Sequence, residues 1–509
     1  MVARVVTPAV VGFQTFTVQV EVDLRAGIPG FSVVGLPDTA VQEARERVRS
    51  GLTNQAFAVP PRRIVANLAP ADLRKAGPHY DLPLALAIAC ASGQLDPSCI
   101  EGVGAVGELG LDGCLRPVAG ALVMAEHAAR SGWQRLVVPA ASAAEAALVE
   151  GVEVLGATGL RHAVELLEGG AEPPSLETDV GRLLGRAASS VAPDLADVRG
   201  QGAARRAIEV AAAGEHSLLM LGAPGGGKTM LARRLPGLLP PLTSAEAIEV
   251  TRIHSVAGLL APERPLVGVR PFRAPHHTIS TAGLVGGGRV PRPGEVSLAH
   301  RGVLFLDEVC AFAPSALDAL RQPLEEGCID VHRAMGAARF PASPLLVCAG
   351  NPCPCGFLGD ATRSCTCPPA RAESYRARLS GPVSDRLDLQ VTVPRLSREE
   401  LLGSDAHEPT ASVRERVVAA QVFRRERGQD APNARLPAAR VREAASLDSP
   451  AIRMLERAID RLALTARGCD RVLRVARTVA DLAAARRVGG DHLAEALGYR
   501  VAPTGGDGP

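Results

Sequence analysis

The chain has 509 residues, 47% of them hydrophobic and 22% charged, enough for about two to four domains with buried cores. No run approaches the roughly 18 uninterrupted apolar residues that span a bilayer, and MVARVVTPAVVGFQTF lacks the basic n-region and apolar h-region of a secretory signal. The expectation is a soluble, cytoplasmic protein without membrane contact. A net charge of +2 excludes a polycation, and 3% aromatic residues exclude a platform of stacked bases, so any nucleic acid would be held mainly through arginine and phosphate.

In chain order, FTVQVEVDL (16–24) alternates apolar and polar residues with the period of a half-buried strand. GIPGFSVVGLPD reads as turn, strand and turn, and TAVQEARERVRSGL as a capped helix. RRIVANLAP is a further strand, DLPLALAIACASG a buried helix, GAVGELGLDGCLRPV a hairpin, AGALVMAEHAARSG a helix and RLVVP a strand. This α+β unit closes near residue 168 and is followed by a Gly/Pro/acidic linker over 169–194. An α/β unit then runs over 195–396, an all-helical unit rich in Ala, Leu, Arg and Glu over 397–500, and a tail at 501–509 is expected to be disordered.

The chemistry starts at LMLGAPGGGKTMLARRL (219–235). Gly222, Ala223, Pro224, Gly225, Gly226, Gly227, Lys228 and Thr229 fit the P-loop pattern G-x-x-x-x-G-K-[ST] without a mismatch. Backbone amides of such a turn and the helix N-terminus that follows cradle the phosphates of ATP. Lys228 then reaches the terminal phosphates, and the Thr229 hydroxyl ligates Mg²⁺. Lys75 and Lys228 are the only lysines in a chain otherwise basic through arginine. A cradle admits a slim ammonium stem where a planar guanidinium does not fit. In HRGVLFLDEV (300–309) four apolar residues lead to Asp307, placed for the metal, and Glu308, placed for the attacking water. PLLVCAG (344–350) ends at Asn351, an amide at a strand tip that would orient the water.

NPCPCGFLGDATRSCTC places Cys353, Cys355, Cys365 and Cys367 as C-x-C, nine residues, C-x-C. In a cytoplasmic chain this spacing favours a metal over disulfides. Four thiolates suit a structural Zn²⁺, an iron–sulfur cluster also uses four cysteines, and unliganded thiols are the third reading. His276 and His277 have no ligand pair at helical spacing and read as structural or pore-lining residues.

The order of these elements resembles the AAA+ ATPases. The strings PFRAPHHTISTAGLVGGGRVPRPGEVSLAHRGVLFLDE (271–308), ALRQPLEEG (319–327), NPCPCG (351–356), SGPVSDRLDL (380–389) and RVLRVARTVADL (471–482) resemble the magnesium-chelatase-like branch, and within it the ComM/YifB family, over nearly the whole chain. The resemblance implies a homo-oligomeric ring, usually a hexamer, with each ATP site completed by a neighbour. Arg386 would be the finger inserted in trans, with Arg378 able to share the role, and Arg474 the nucleotide-sensing arginine of the helical lid, with Arg471 and Arg477 one turn away on either side. It also implies two pore insertions, at 272–292 and 328–342, the second a β-hairpin. Their Arg289, Arg292, Arg333 and Arg339 would be the contacts to a DNA backbone.

Residues 1–168 resemble the Lon-protease-like (ribosomal S5 domain 2-like) fold. There His79, Tyr80 and Asp81 occupy the place of the serine loop and Leu122 or a neighbour that of the lysine, so no nucleophile–base pair is available and peptidase activity is not expected. The resemblance implies an ATP-driven DNA motor, a branch-migration or unwinding enzyme of recombination or natural transformation. A protein-remodelling ATPase and a magnesium chelatase subunit are the alternatives.

Overall fold

The computed structural model describes residues 2–188, 193–288, 290–333, 336–360, 363–377, 387–402 and 407–500. The N-terminal unit is built on a seven-stranded sheet of β1 (Val2–Val11), β2 (Gln14–Arg25), β3 (Gly30–Val34), β4 (Arg63–Ala69), β5 (Val103–Ala105), β6 (Arg135–Pro139) and β7 (Glu153–Ala157). Their spatial order is β3-β4-β2-β1-β5-β6-β7. Successive side chains leave a strand on opposite faces, so Val5 and Ala9 of β1 enter one core while Val6 and Val10 meet a second. Helix α1 (Thr39–Asn54) begins where Asp38 Oδ1 accepts the Val41 amide at 2.9 Å, an N-cap. Helix α2 (Asp81–Ala91) is buried along nearly its whole length, as a sequence apolar all round requires. Helix α3 (Ala121–Arg130) covers the second face.

Within the stretch read as a linker the structure contains a helix, α4 (Val180–Ala188). Its Val180, Leu183 and Leu184 pack on Leu122, Leu148, Leu242 and Leu266, residues from both sides of the junction. The Gly/Pro composition of 169–179 hid the apolar face that follows.

The P-loop unit holds α5 (Gly202–Gly214), β8 (Leu218–Leu221), α6 (Lys228–Leu238), α7 (Ser244–Val256), β9 (Phe272–Arg273), β10 (Val303–Leu306), β11 (Cys328–Arg333), β12 (Gly336–Pro341), β13 (Leu345–Gly350) and β14 (Leu389–Thr392). Five strands form a parallel sheet in the order β9-β10-β13-β8-β14. Leu218 and Met220 face one side, where Val413, Val472 and Val475 of the C-terminal helices close the core. Leu219 faces the other, with Leu304, Leu306 and Cys348 and the antiparallel hairpin β11–β12.

The C-terminal unit is helical: α8 (Thr410–Glu426), α9 (Ala438–Ala445), α10 (Ser449–Leu462), α11 (Ala466–Leu482) and α12 (Gly490–Gly498). Arg477 is fully buried on α11 and pairs with Asp481, which also receives Arg427 at 3.0 Å. A buried guanidinium needs such a partner. Residues 501–509 lie outside the described residues. Among the described residues no helix is long and apolar enough to cross a membrane.

Besides the apolar cluster of Leu122, Leu148, Leu242 and Leu266, polar and aromatic contacts join the N-terminal unit to the P-loop unit. Glu126 of α3 accepts from Arg252 of α7 at 3.1 Å. At the β1–β2 turn, Phe13 stacks edge-on against Phe340 of β12 with ring centroids 5.4 Å apart. Gly12 there has φ +62°, and a Cβ on it would stand 2.4 Å from Ala338 Cβ, so only glycine fits the turn.

Candidate ATP-hydrolysis site

In a parallel α/β sheet ligands bind beyond the carboxyl ends of the strands. Here those ends deliver Gly222 from β8, Asp307 from β10 and Asn351 from β13. Gly222 passes so close to β14 that a Cβ would lie 2.0 Å from the Val393 carbonyl oxygen, and Gly227 caps α6 with φ +93°. The loop therefore needs glycine for close approach and for handedness, the backbone pattern from which anion-binding nests are built.

Lys228 opens α6 and is buried. Its Nζ donates to the Gly222 carbonyl at 2.7 Å, the Ala223 carbonyl at 3.1 Å and Asn351 Oδ1 at 3.2 Å. Burial lowers its pKa, and the carboxylates of Asp307 and Glu308 pull in the other direction. The Thr229 hydroxyl donates to Asp307 Oδ2 at 2.9 Å, and Asp307 Oδ1 accepts the Glu308 amide at 2.9 Å. Hydroxyl and carboxylate thus stand together as two hard oxygen donors of the kind Mg²⁺ takes. Glu308 is exposed and held in a left-handed conformation, φ 50° and ψ 46°. Such strain in a non-glycine residue is concentrated at functional positions.

The P-loop residues, Asp307, Glu308 and Asn351 therefore meet in one place. Two further side chains join them. His277 Nδ1 lies 3.6 Å from Glu308 Oε2, while the neighbouring His276 turns to Thr278 Oγ1 at 2.8 Å. The histidines read as structural or pore-lining thus include one that flanks the carboxylate of Glu308. Gln201, in a left-handed turn before α5, donates from Nε2 to the Gly226 carbonyl at 3.0 Å and the Pro394 carbonyl at 2.6 Å, tying the cradle to β14. The signal for it was a polar residue between Gly200 and Gly202, next to a helix start.

Arg474 lies elsewhere. It donates from Nη2 to the Leu436 carbonyl at 2.6 Å and lines a cavity of about 470 Å³ with Glu215, Ser217, Ser343, Asp388 and Arg471. Ser217 and Ser343 precede β8 and β13, so this cavity sits at the amino ends of the strands, opposite the cradle. Five residue steps of β8, about 16 Å of extended chain, separate Ser217 from Gly222. The lid arginine is therefore not brought to the nucleotide cradle of its own chain. Arg477, its neighbour on α11, is committed to Asp481. Arg386 and Arg378 lie outside the described residues.

Of the four pore arginines, Arg289 and the side chain of Arg333 lie outside the described residues. Arg292 is exposed. Arg339 is exposed but bound within its own hairpin, 2.7 Å from Cys328 Sγ and 3.8 Å from Asp330. In the N-terminal unit, Asp81 is an ion-pair residue: its carboxylate accepts from Arg47 Nε at 2.6 Å and from the Leu109 amide at 3.1 Å. Burial pushes its pKa up to about 6 against the pull of Arg47, and burial pushes His79 down to about 4. Leu122 is buried among apolar side chains. Cys353, Cys355, Cys365 and Cys367 come together, with all four Sγ atoms within 4.8 Å of one another.

Comparison with known proteins agrees with this geometry. Residues 194–401 match the family described as magnesium chelatase, subunit ChlI, residues 20–142 the subunit ChlI of Mg-chelatase, and residues 407–500 the ChlI C-terminal family. An uncharacterized protein of Mycobacterium tuberculosis is 45% identical over 98% of both chains. Competence protein ComM of Haemophilus influenzae is 44% identical over 98% of this chain and 97% of its own. YifB of Escherichia coli is 41% identical over 97% of this chain and 96% of its own. The chain belongs to the ComM/YifB family of magnesium-chelatase-like AAA+ proteins.

Proposed function

We propose that the protein is a ring-forming ATPase that works on DNA, driving branch migration or unwinding in recombination or natural transformation. The observation that carries the ATPase half is the meeting of Lys228, the Thr229–Asp307 pair, Glu308 and Asn351 beyond the carboxyl ends of one parallel sheet. The hydroxyl of Thr229 and the carboxylate of Asp307 would hold Mg²⁺, which supplies charge neutralisation on the phosphates. Lys228 trades its carbonyl partners for phosphate oxygens. Glu308 takes the proton of the attacking water, His277 holds that carboxylate in place, and Asn351 orients the water through its amide. Arg474 serves the ATP of an adjoining subunit, because its own cradle lies at the far ends of the strands. Arg386 is the finger expected beside it. That division makes an oligomer, usually a hexamer in this family, a requirement for hydrolysis.

The DNA half rests on the kinship with a competence protein over almost the whole chain and on the exposed Arg292 at the first insertion. We assign residues 1–168, 195–396 and 397–500 to a recruiting domain without peptidase chemistry, the ATPase core and the helical lid, acting together in the cytoplasm. The experiment is ATP-dependent branch migration on a synthetic four-way junction, with Glu308→Gln as control. Movement by wild type and none by the variant is expected. Hydrolysis that DNA leaves unchanged but unfolded protein stimulates would overturn the DNA reading in favour of protein remodelling. Stimulation only by a porphyrin-binding partner would mark a chelatase subunit.

A further inference from the structure

The four-cysteine knuckle stands at the mouth of the ATP site. Cys353 follows Asn351 by two residues, and Gly356 packs so closely on the P-loop that a Cβ there would lie 2.5 Å from Pro224 Cδ. Across the knuckle, the guanidinium groups of Arg363 and Arg395 lie over the Phe357 ring, 4.3 Å and 5.2 Å from its centroid. Arg395 follows β14 and also pairs with Asp360 at 3.4 Å. The segment therefore touches three parts of the cradle's frame: the strand tip carrying Asn351, the proline of the loop and the chain leaving β14.

Its sulfur atoms are spaced for one metal ion. Cys353 lies 3.4 Å from Cys355 and 3.6 Å from Cys365, and Cys355 lies 3.5 Å from Cys365. A tetrahedron with Zn–S bonds of about 2.3 Å has S···S edges of about 3.8 Å, whereas a disulfide closes to about 2.05 Å. A multi-iron cluster puts several irons and sulfides between the thiolates and spreads them further than the 4.8 Å seen here. Backbone amides supply outer support. Cys355 N donates to Cys367 Sγ at 3.3 Å and Cys367 N to Cys365 Sγ at 3.4 Å, bonds that disperse negative charge on a thiolate.

We infer that Cys353, Cys355, Cys365 and Cys367 hold one closed structural Zn²⁺, and that this zinc knuckle, seated on Pro224 and continuous with Asn351, keeps the cradle in its ATP-binding shape so that zinc and ATP bind cooperatively. The coupling rests on the nucleotide reading above; the metal site does not. Loading the site releases the thiol protons to solvent and involves no redox change. Without the metal the segment has few apolar contacts to order it, and the loop loses the wall behind Pro224.

Three measurements test this on the full chain. Elemental analysis should find one zinc per chain, falling to none in Cys365→Ser/Cys367→Ser; iron, or no metal in freshly purified protein, overturns the site. Fluorescent mant-ATP should bind the zinc-free variant about tenfold more weakly than wild type, within the range of ordinary coupling between sites. Reciprocally, ATP with excess Mg²⁺ should slow zinc release from wild type to a colorimetric chelator, an effect absent from Lys228→Ala. The release assay needs no cysteine variant, so it stands even if that variant fails to fold. Equal release rates with and without ATP overturn the coupling while leaving the zinc count intact. Wild type that holds zinc yet binds no mant-ATP fails the nucleotide reading and takes the coupling with it.

Discussion

The two ends of the five-stranded sheet carry different chemistry. At the carboxyl ends stand the glycine turn, one lysine, two carboxylates and an amide, placed around an anion and a metal. At the amino ends stand Arg471 and Arg474 with the buried carboxylate of Asp388, which accepts from the Ser217 amide at 3.3 Å. The first end can bind and polarise a triphosphate. The second offers positive charge where its own chain has no phosphate. In this structure the two ends are separated by the length of the strands, and the proposed function would divide the reaction between subunits.

The largest effect should come from the carboxyl end. Lys228→Ala removes the lysine of the cradle, and mant-ATP affinity should fall more than about 30-fold, corresponding to a loss of about 2 kcal/mol. ATP binding within threefold of wild type would show that the cradle is not the site. Glu308→Gln should bind mant-ATP normally while turnover falls at least about 100-fold, the span of a lost general base. A variant that loses binding and turnover together would reassign Glu308 to ground-state contact.

Next in size is a test of the division itself. Arg474→Ala and Glu308→Gln should each be inactive alone. Mixed rings should recover hydrolysis at about a quarter of their sites, where an intact glutamate meets an intact arginine from the next subunit. No recovery in rings shown to exchange subunits would return Arg474 to its own chain.

The smallest effect concerns stability at the amino end. There His300 Nε2 lies 3.2 Å and Arg301 Nε 3.1 Å from the Glu249 carboxylate. The close side-chain contact of His300, then the charges of His300 and Arg301, hold the Glu249 pKa at about 2 against an ordinary 4.5, overcoming the opposing effect of burial. A depressed carboxyl pKa stabilises the fold above the unfolded value and loses that contribution as pH falls through the folded one. Glu249→Gln should therefore lower Tm by a few degrees at pH 7, with the difference from wild type shrinking as pH falls from 4.5 toward 2. A difference constant across that range would mean that packing, not charge, is what Glu249 contributes.

Much of the carboxyl end was legible in the sequence, and little of the amino end was. A glycine-rich turn before Lys228 and a four-residue apolar run before Asp307 are local signals, because phosphate chemistry constrains adjacent residues. The strands FTVQVEVDL and PLLVCAG and the all-apolar helix at 81–91 likewise declare themselves by periodicity. The location of Arg474 is a long-range fact: α11 must first fold back on the start of β8, where His216 Nε2 meets Thr478 Oγ1 at 2.7 Å. The contacts of His277 with Glu308 and of Gln201 with the cradle escaped the sequence for the same reason. Each reaches a residue 25 or more positions away, and nothing in its own neighbourhood marks that partner. Helix α4 was missed because the Gly/Pro-rich residues before it read as a linker, although Asp179 accepts the Arg182 amide at 3.1 Å as an N-cap.

The contact of Phe13 and Gly12 with β12 gives the hairpin β11–β12 a fulcrum. A hairpin standing free on an ATPase core could swing with each turnover and leave the rest of the chain at rest. Here its base is wedged by a turn with no space for even a methyl group. Any stroke of the hairpin must either break an aromatic contact or drag β1 and β2 with it, and β1 and β2 lie at the centre of the seven-stranded sheet. On the proposed reading, the N-terminal unit and whatever it binds would resist any displacement of the hairpin, so the two would have to move as one body.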